Sequence, residues 1–264
     1  MATAGSMGTL ARHWPEYLME AWGLGTFMVS AGLCTVLVIH PASPLATLDP
    51  LLQRVLIGSL LGLTAVGIIY SPWGRQSGAH LNPAVTLTFF RLGKVAGWDA
   101  VFYVVAQTLG GLAGVLLVLL ALRAAFADPP VAYVATLPGP AGPAVAFVAE
   151  ALISFGLMLM VLLTTNSPRL MRFTGLFAGC LIALYITIEA PLSGMSMNPA
   201  RTLASALPGH LFEGLWIYLT APPFGMLLAV EAYRLIARTP RVLCAKLNHH
   251  THRRCIFRCG YQER

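Results

Sequence analysis

Charge is what this 264-residue chain has least of: Asp and Glu number 10, Lys and Arg 17, together 10% of the residues. A soluble globular domain carries about a quarter, so an ordinary water-exposed surface is excluded. No basic stripe interleaved with aromatics occurs, which argues against nucleic acid as a partner. The five cysteines, Cys34, Cys180, Cys244, Cys255 and Cys259, make no secreted disulfide framework. Two lie in apolar segments and three in a basic tail, so all five are read as reduced. A short cleavable signal pattern is lacking at the start, and the first apolar run is long enough to span and be retained. The apolar runs hold no nucleophile–base set and no metal cluster, which argues against a membrane enzyme; no metal or cofactor is expected.

What is present is apolar: 57% of the residues are hydrophobic and the mean hydropathy is +0.72. A spanning helix needs about 20 such residues, and six runs qualify, near 17–39, 51–70, 98–122, 144–165, 173–192 and 215–236. Two further apolar stretches, starting at Asn82 and Asn198, are too short to cross alone. Short segments at corresponding places in two halves point to a conduction site near the midplane. The halves do correspond. Asn82-Pro83-Ala84 returns as Asn198-Pro199-Ala200, Gln107-x-x-Gly110 answers Pro222-x-x-Gly225, and Glu20-Ala21 answers Glu150-Ala151. Three spans per copy is an odd number, so the second copy enters the membrane upside down.

The expected fold is therefore all-α and integral to the membrane: six transmembrane helices plus two re-entrant half-helices, as an inverted repeat. The repeats cover about 15–125 and 144–240 within a channel domain of residues 1–242; residues 243–264 form a basic tail. With the N-terminus inside, 14 of the 17 Lys and Arg residues fall on one side and only Arg54, Arg123 and Arg201 on the other. Positive charge is retained on the inside, so both termini are expected to be cytoplasmic.

Asn is a good helix N-cap and Pro suits the first helical position. Each Asn-Pro-Ala thus starts a half-helix, and inversion makes the two meet N-terminus to N-terminus. Two positive dipole ends converge there with two Asn amides, which repels a cation and serves a neutral solute with lone pairs. The irregular backbone before each half-helix must be buried or line a wet cavity. It offers acceptor carbonyls from Gly78, Ala79, His80, Gly194 and Ser196. Arg201 cannot face lipid cheaply and belongs at the pore wall, as a donor and cation barrier.

Ser77-Gly78-Ala79-His80-Leu81-Asn82-Pro83-Ala84-Val85-Thr86 and Gly194-Met195-Ser196-Met197-Asn198-Pro199-Ala200-Arg201 resemble the paired signature of the major intrinsic protein family, the aquaporins and glycerol facilitators. The resemblance covers about residues 15–240. It implies a right-handed helix bundle, a homotetramer in the lipid bilayer of a plasma or inner membrane, and one pore per chain. Such a pore passes water and small uncharged solutes and excludes ions and protons. The family's selectivity positions map onto Ile186, Met195 and Arg201, with Leu61 or Gly62 as the fourth. None of these is aromatic. Together with Thr202, Ala206 and Tyr218-Leu219, they are most similar to the nodulin-like branch, whose members pass glycerol and undissociated metalloid acids such as boric acid. A strictly water-selective pore, narrowed by Met195, is the alternative.

Glu20 and Glu150 stand at matching repeat positions, which favours structural charges that hold loop N–H groups over proton relays. An ion-coupled transporter would need them as relays; a purely structural junction protein would need Met195 and Ile186 to block the pore. Glu189 is expected in a vestibule. Gln107 and Pro222 are read as orienting the half-helices, and His80 as packing its ring rather than binding metal. The tail around His249, Cys255 and Cys259 carries metal-ligand residue types at no compact zinc spacing, and is read as a basic segment on anionic lipid.

Overall fold

The structure, a computed structural model, describes residues 5–236, 242–249 and 253–261. Its main helices are α1 (Ser6–Ile39), α2 (Pro50–Tyr70), α3 (Pro83–Arg91), α4 (Gly97–Leu122), α5 (Pro143–Thr165), α6 (Thr174–Ile188), α7 (Pro199–Gly209) and α8 (Leu215–Ile236). Six of these are long and apolar enough to cross a membrane, α6 together with the turn that precedes it. At 1.5 Å per residue, α2 rises about 31 Å, one bilayer core. The half-helices α3 and α7 have 9 and 11 residues, so stacked end to end they rise about as far as one spanning helix.

Local chemistry sets the starts. Pro stands at the first position of α2, α3, α5 and α7. Asp49, Asn82 and Asn198 cap α2, α3 and α7 by accepting from backbone N–H groups two or three residues on. The first helix begins at Ser6, eleven residues before the expected boundary at 17. Polar residues at and before that boundary are held against α4: Tyr17 Oη donates to Asp99 Oδ1 at 2.6 Å, and His13 Nδ1 lies 2.7 Å from the same oxygen. The α6 helix ends at Ile188, earlier than expected, and a short turn over Ala190–Ser193 follows.

Packing repeats with the sequence. In the first repeat α1 lies on α4, in the second α5 lies on α8, and α2 crosses α6 between the repeats. A Cβ on Gly110 would stand 2.1 Å from the Ala21 carbonyl oxygen, and one on Gly225 2.1 Å from that of Ala151. Both crossings therefore demand glycine, as in membrane bundles held by close backbone approach. The half-helices exchange partners: α3 packs on α8 and α7 on α4. Large apolar side chains point outward, Leu63, Leu117 and Leu120 being more than half exposed. Such a surface suits lipid, and it exposes more large apolar side chains than a soluble domain does.

Both ends of the described chain lie on one face of the bundle, where Arg254 donates to the Arg12 carbonyl at 2.6 Å. We call this the terminal face and the opposite one the loop face. The described tail residues do not spread away from the bundle as a lipid-bound segment would. Val242, Leu243, Cys244, Ala245, Lys246, Leu247 and Asn248 are all buried. Leu243 N donates to Asn166 Oδ1 and Arg258 N to the Lys94 carbonyl, pinning the tail across the terminal face. The reason is apolar content: Val242, Leu243, Leu247 and Phe257 supply a small core that a purely basic reading overlooks.

Candidate functional site

Before each half-helix the backbone enters the left-handed region at three of four successive residues, in the same pattern in both loops. Gly78, Ala79 and Leu81 have φ of 100°, 54° and 52°; Gly194, Met195 and Met197 have 79°, 53° and 54°. For the four non-glycine residues this conformation costs on the order of 1–3 kcal/mol each and persists only when surroundings impose it. The surroundings are two buried carboxylates. Glu20 accepts from Ser77 Oγ, His80 N, Leu81 N and Gln107 Nε2, at 2.6–3.1 Å. Glu150 accepts from Ser193 Oγ, Ser196 N and Met197 N, each at 2.7 Å. The outer carbonyls are tied as well: Tyr103 Oη donates to Ser77 O at 2.7 Å and Tyr218 Oη to Ser193 O at 2.6 Å. Gln107 also donates to Thr86, which contacts His80, while Thr202 at the matching position contacts Ser196 at 2.6 Å. Pro222, opposite Gln107 in the repeat, is buried within α8.

The two loops meet through their caps. Asn82 Nδ2 donates to Met197 O and Asn198 Nδ2 to Leu81 O, each at 2.7 Å. Each amide thus spends its oxygen on its own half-helix and one hydrogen on the opposite loop.

A cavity of ≈ 450 Å³ runs through this junction, from Ile39 and Arg54 near the loop face to Ile69 and Leu247 near the terminal face. Ala79, His80, Leu81, Asn82, Gly194, Met195, Ser196, Met197, Asn198 and Arg201 all line it. Among the described residues, Arg201 Nη1 is buried and finds no hydrogen-bond partner. Of the alternatives Leu61 and Gly62, only Leu61 lines the cavity; Gly62 faces α6, where its Cβ position lies 2.5 Å from the Gly179 carbonyl oxygen. Gly78 is a second correction. Its carbonyl accepts from Leu247 N at 3.1 Å and is turned to the tail rather than the cavity.

Several lining residues escape a sequence reading. Ile57 lines the cavity, and its neighbour Gly58 approaches Ala183 and the Ile186 Cβ, whereas Gly62 approaches Gly179. The α2 level facing Ile186 is therefore nearer 57 than 61. The spacing Ile57, Leu61, Ala65, Ile69, all lining, is a helical i+4 stripe that shows the face but not the depth. Pro130, Val131, Val134 and Ala135, from the segment joining α4 to α5, and Leu247 from the tail also line it.

Glu189 lies not in an open vestibule but buried behind the second loop, its Oε1 2.5 Å from Ser193 Oγ. Ser193 Oγ also contacts Glu150 Oε1 and accepts from Met195 N. One hydroxyl hydrogen cannot serve two carboxylates. Glu150 already accepts two backbone N–H groups, so Ser193 donates to it and Glu189 supplies the hydrogen for the second contact. The Glu189→Gln variant, whose amide brings that hydrogen, is expected to keep wild-type thermal stability and flux. A fall in melting temperature of several degrees would show that the carboxyl is ionised instead.

The His80 ring sits 5.2 Å from Phe89 and 5.3 Å from Phe257, nearly parallel to both, with Nε2 2.8 Å from the Ala245 carbonyl. A carbonyl only accepts, so the hydrogen is on Nε2.

The sequence model of the family described as Major intrinsic protein matches residues 10–233. A probable aquaporin of NIP type from Nicotiana alata is 37% identical over 185 residues, which cover 69% of this chain and 66% of that protein. Putative aquaporin NIP4-1 from Arabidopsis thaliana is 37% identical over 183 residues, 69% of this chain and 62% of its own length. The chain thus spans slightly under two thirds of these relatives. Aquaporin NIP1-2 from Arabidopsis thaliana matches further, 33% identical over 229 residues, 83% of this chain and 74% of its own. Among solved structures, the aquaglyceroporin from Plasmodium falciparum shares the fold with a TM-score of 0.71 at 23% identity, covering 85% of this chain and 96% of that one.

Proposed function

The chain belongs to the major intrinsic protein family, and from that premise we propose that it is a passive channel for water and small uncharged solutes, glycerol and undissociated boric acid among them. The observation that carries the solute class is the lining of the cavity. Ile57, Leu61, Ile186 and Met195 present aliphatic or thioether surface to it, and Arg201 lines the same cavity. An apolar wall with one cationic donor suits a solute that has hydroxyls on a carbon or boron frame. It serves water less well, because water needs several partners at once.

At the midplane each Asn amide has one hydrogen committed to the opposite loop, leaving its second for a passing oxygen. The free carbonyls of the loops accept from the same solute. The convergent half-helix N-termini and Arg201 raise the energy of any cation, protons included. Glu20 and Glu150 support passive rather than coupled transport. Their oxygens accept from loop donors and hold backbone, which leaves neither of the two poised to exchange a proton with cargo. The distribution of Lys and Arg supports a cytoplasmic terminal face, and a homotetramer in a plasma or inner membrane is the assembly we propose.

Stopped-flow light scattering on proteoliposomes tests the reading. Glycerol and boric acid entry well above empty vesicles, with modest water flux, is expected. In the Ile186→His variant the ratio of solute to water permeability is expected to fall by roughly tenfold, since an imidazole adds a donor and loses apolar contact worth about 1–1.5 kcal/mol. Fast water with no solute entry in the wild type would favour the strictly water-selective alternative, with Met195 closing the gap. An unchanged ratio in the variant would place the filter elsewhere.

A further inference from the structure

The three tail cysteines and one tail histidine are unused by the channel, yet they converge. The ligand atoms of Cys244, His249, Cys255 and Cys259 all lie within 4.8 Å of one another. Cys244 Sγ is 3.6 Å from Cys255 Sγ, and Cys259 Sγ is 3.0 Å from His249 Nε2. Donor atoms around a tetrahedral zinc with bonds near 2.3 Å stand about 3.8 Å apart, whereas a disulfide needs about 2.05 Å. We propose that Cys244, His249, Cys255 and Cys259 form a closed Cys3His site for a thiophilic divalent cation, zinc by preference, which clasps the tail across the terminal-face mouth of the pore.

The surroundings suit a metal rather than a chance gathering of thiols. Cys244 and Cys255 each accept a backbone N–H from the residue two positions on, Lys246 and Phe257. Such bonds stabilise thiolates and fix their direction. Three thiolates and a divalent ion leave one negative charge, and Lys246, itself 2% exposed, lies close enough to all three thiols to offset it. The His249 ring stacks on Tyr261, with centroids 4.6 Å apart, and Tyr261 Oη reaches the Thr165 carbonyl at the end of α5. The ligand is thereby oriented from the bundle. His249, Cys255 and Cys259 are only partly buried, so an ion can enter from the terminal face. The described tail residues have neither helix nor strand. A segment of this size with no secondary structure of its own is uncommon unless it has a function, and a metal bound only by the folded form would hold it in place.

The clasp has a mechanical consequence, which rests on the channel reading above. Leu247 lies three residues from Cys244 and two from His249; its side chain lines the cavity and its N–H holds the Gly78 carbonyl. Ala245, beside Cys244, accepts from the His80 ring. A bound ion therefore keeps an apolar plug and two hydrogen bonds on the first pore loop. Its removal frees the tail to leave.

The full chain, purified without added metal and then loaded with zinc chloride, tests both parts. About one zinc per chain, retained through dialysis, is expected. Cobalt in its place is expected to show the intense visible bands of tetrahedral thiolate coordination. The Cys255→Ser/Cys259→Ser variant is expected to lose at least nine tenths of that zinc. In proteoliposomes, stripping zinc from the wild type with a chelator is expected to raise solute and water flux about threefold or more, and readdition to reverse it. Because that comparison uses one unmutated protein, a variant that fails to fold does not decide it. Zinc below a tenth per chain, or loss of two titratable thiols with a Cys244–Cys255 disulfide found by mass, would overturn the site. Full zinc with flux indifferent to chelation would overturn the clasp. No flux in any metal state, with zinc still bound, would instead sink the channel reading and with it the gating role, leaving the metal site standing.

Discussion

The Glu150→Ala variant is expected to fail as a folded channel: little monodisperse protein after detergent extraction, and a melting temperature lower by roughly 10 °C or more in what remains. The substitution strands Ser196 N and Met197 N, which donate to this carboxylate inside the bundle, and leaves Ser193 Oγ with Glu189 as its remaining carboxyl partner. Each buried donor left without a partner costs about 1–3 kcal/mol. The left-handed backbone at Met195 and Met197, which costs about 1–3 kcal/mol each, then loses the bonds that impose it, and the loop relaxes out of its pore-lining shape. Two stranded donors cost about 2–6 kcal/mol, which reaches into the whole stability of an ordinary domain, about 5–15 kcal/mol. Glu20→Ala is expected to be at least as damaging, because four donors meet there, including Gln107 Nε2. Size-exclusion profiles across a heating series measure this. A variant that melts within about 3 °C of wild type and conducts normally would mean the loops are shaped by something other than the carboxylates. The same two variants bear on the ion-coupled alternative. If either glutamate were a relay, its loss would abolish uphill transport while leaving a folded protein.

Arg201→Ala is expected to spare the fold and breach the ion barrier. The backbone N–H of residue 201 still reaches Asn198 Oδ1, so the half-helix cap survives. The side chain contributes its charge to the cavity wall, and among the described residues its buried Nη1 has no hydrogen-bond partner to strand. At an effective dielectric constant near 20, a unit charge acts on a second one about 6–8 Å away with about 2–3 kcal/mol. Removing it should raise cation or proton leak by roughly 30- to 100-fold. The half-helix dipoles remain and keep part of the barrier. Liposomes loaded with a pH-sensitive dye report the leak, and parallel light scattering reports water. Leak within about twofold of wild type, in protein that still conducts water, would remove Arg201 from the barrier and leave the dipoles alone to explain exclusion.

Much of the molecule is legible without coordinates because it is written locally. Run length and the scarcity of charge determine six spans; Asn followed by Pro determines two helix starts; repetition of both determines an inverted duplication. The matching positions of Glu20 and Glu150 mark them as a pair for the same reason. What only the tertiary structure decided depends on residues far apart in the chain. Periodicity identifies the pore face of α2 but not its depth, because axial register is set where Gly58 and Gly62 meet α6. That contact brings Ile57 to the level of Ile186 and turns Gly62 away. Glu189 reads as a vestibule charge until Ser193 is seen between it and Glu150. The tail reads as a basic strip because its composition is basic. Its few apolar residues and four metal-ligand types acquire meaning only when Leu247 meets Gly78 and the sulfurs meet His249. Local hydropathy and capping carry no information about such pairings, since each is a docking of surfaces whose separation along the chain no pattern records.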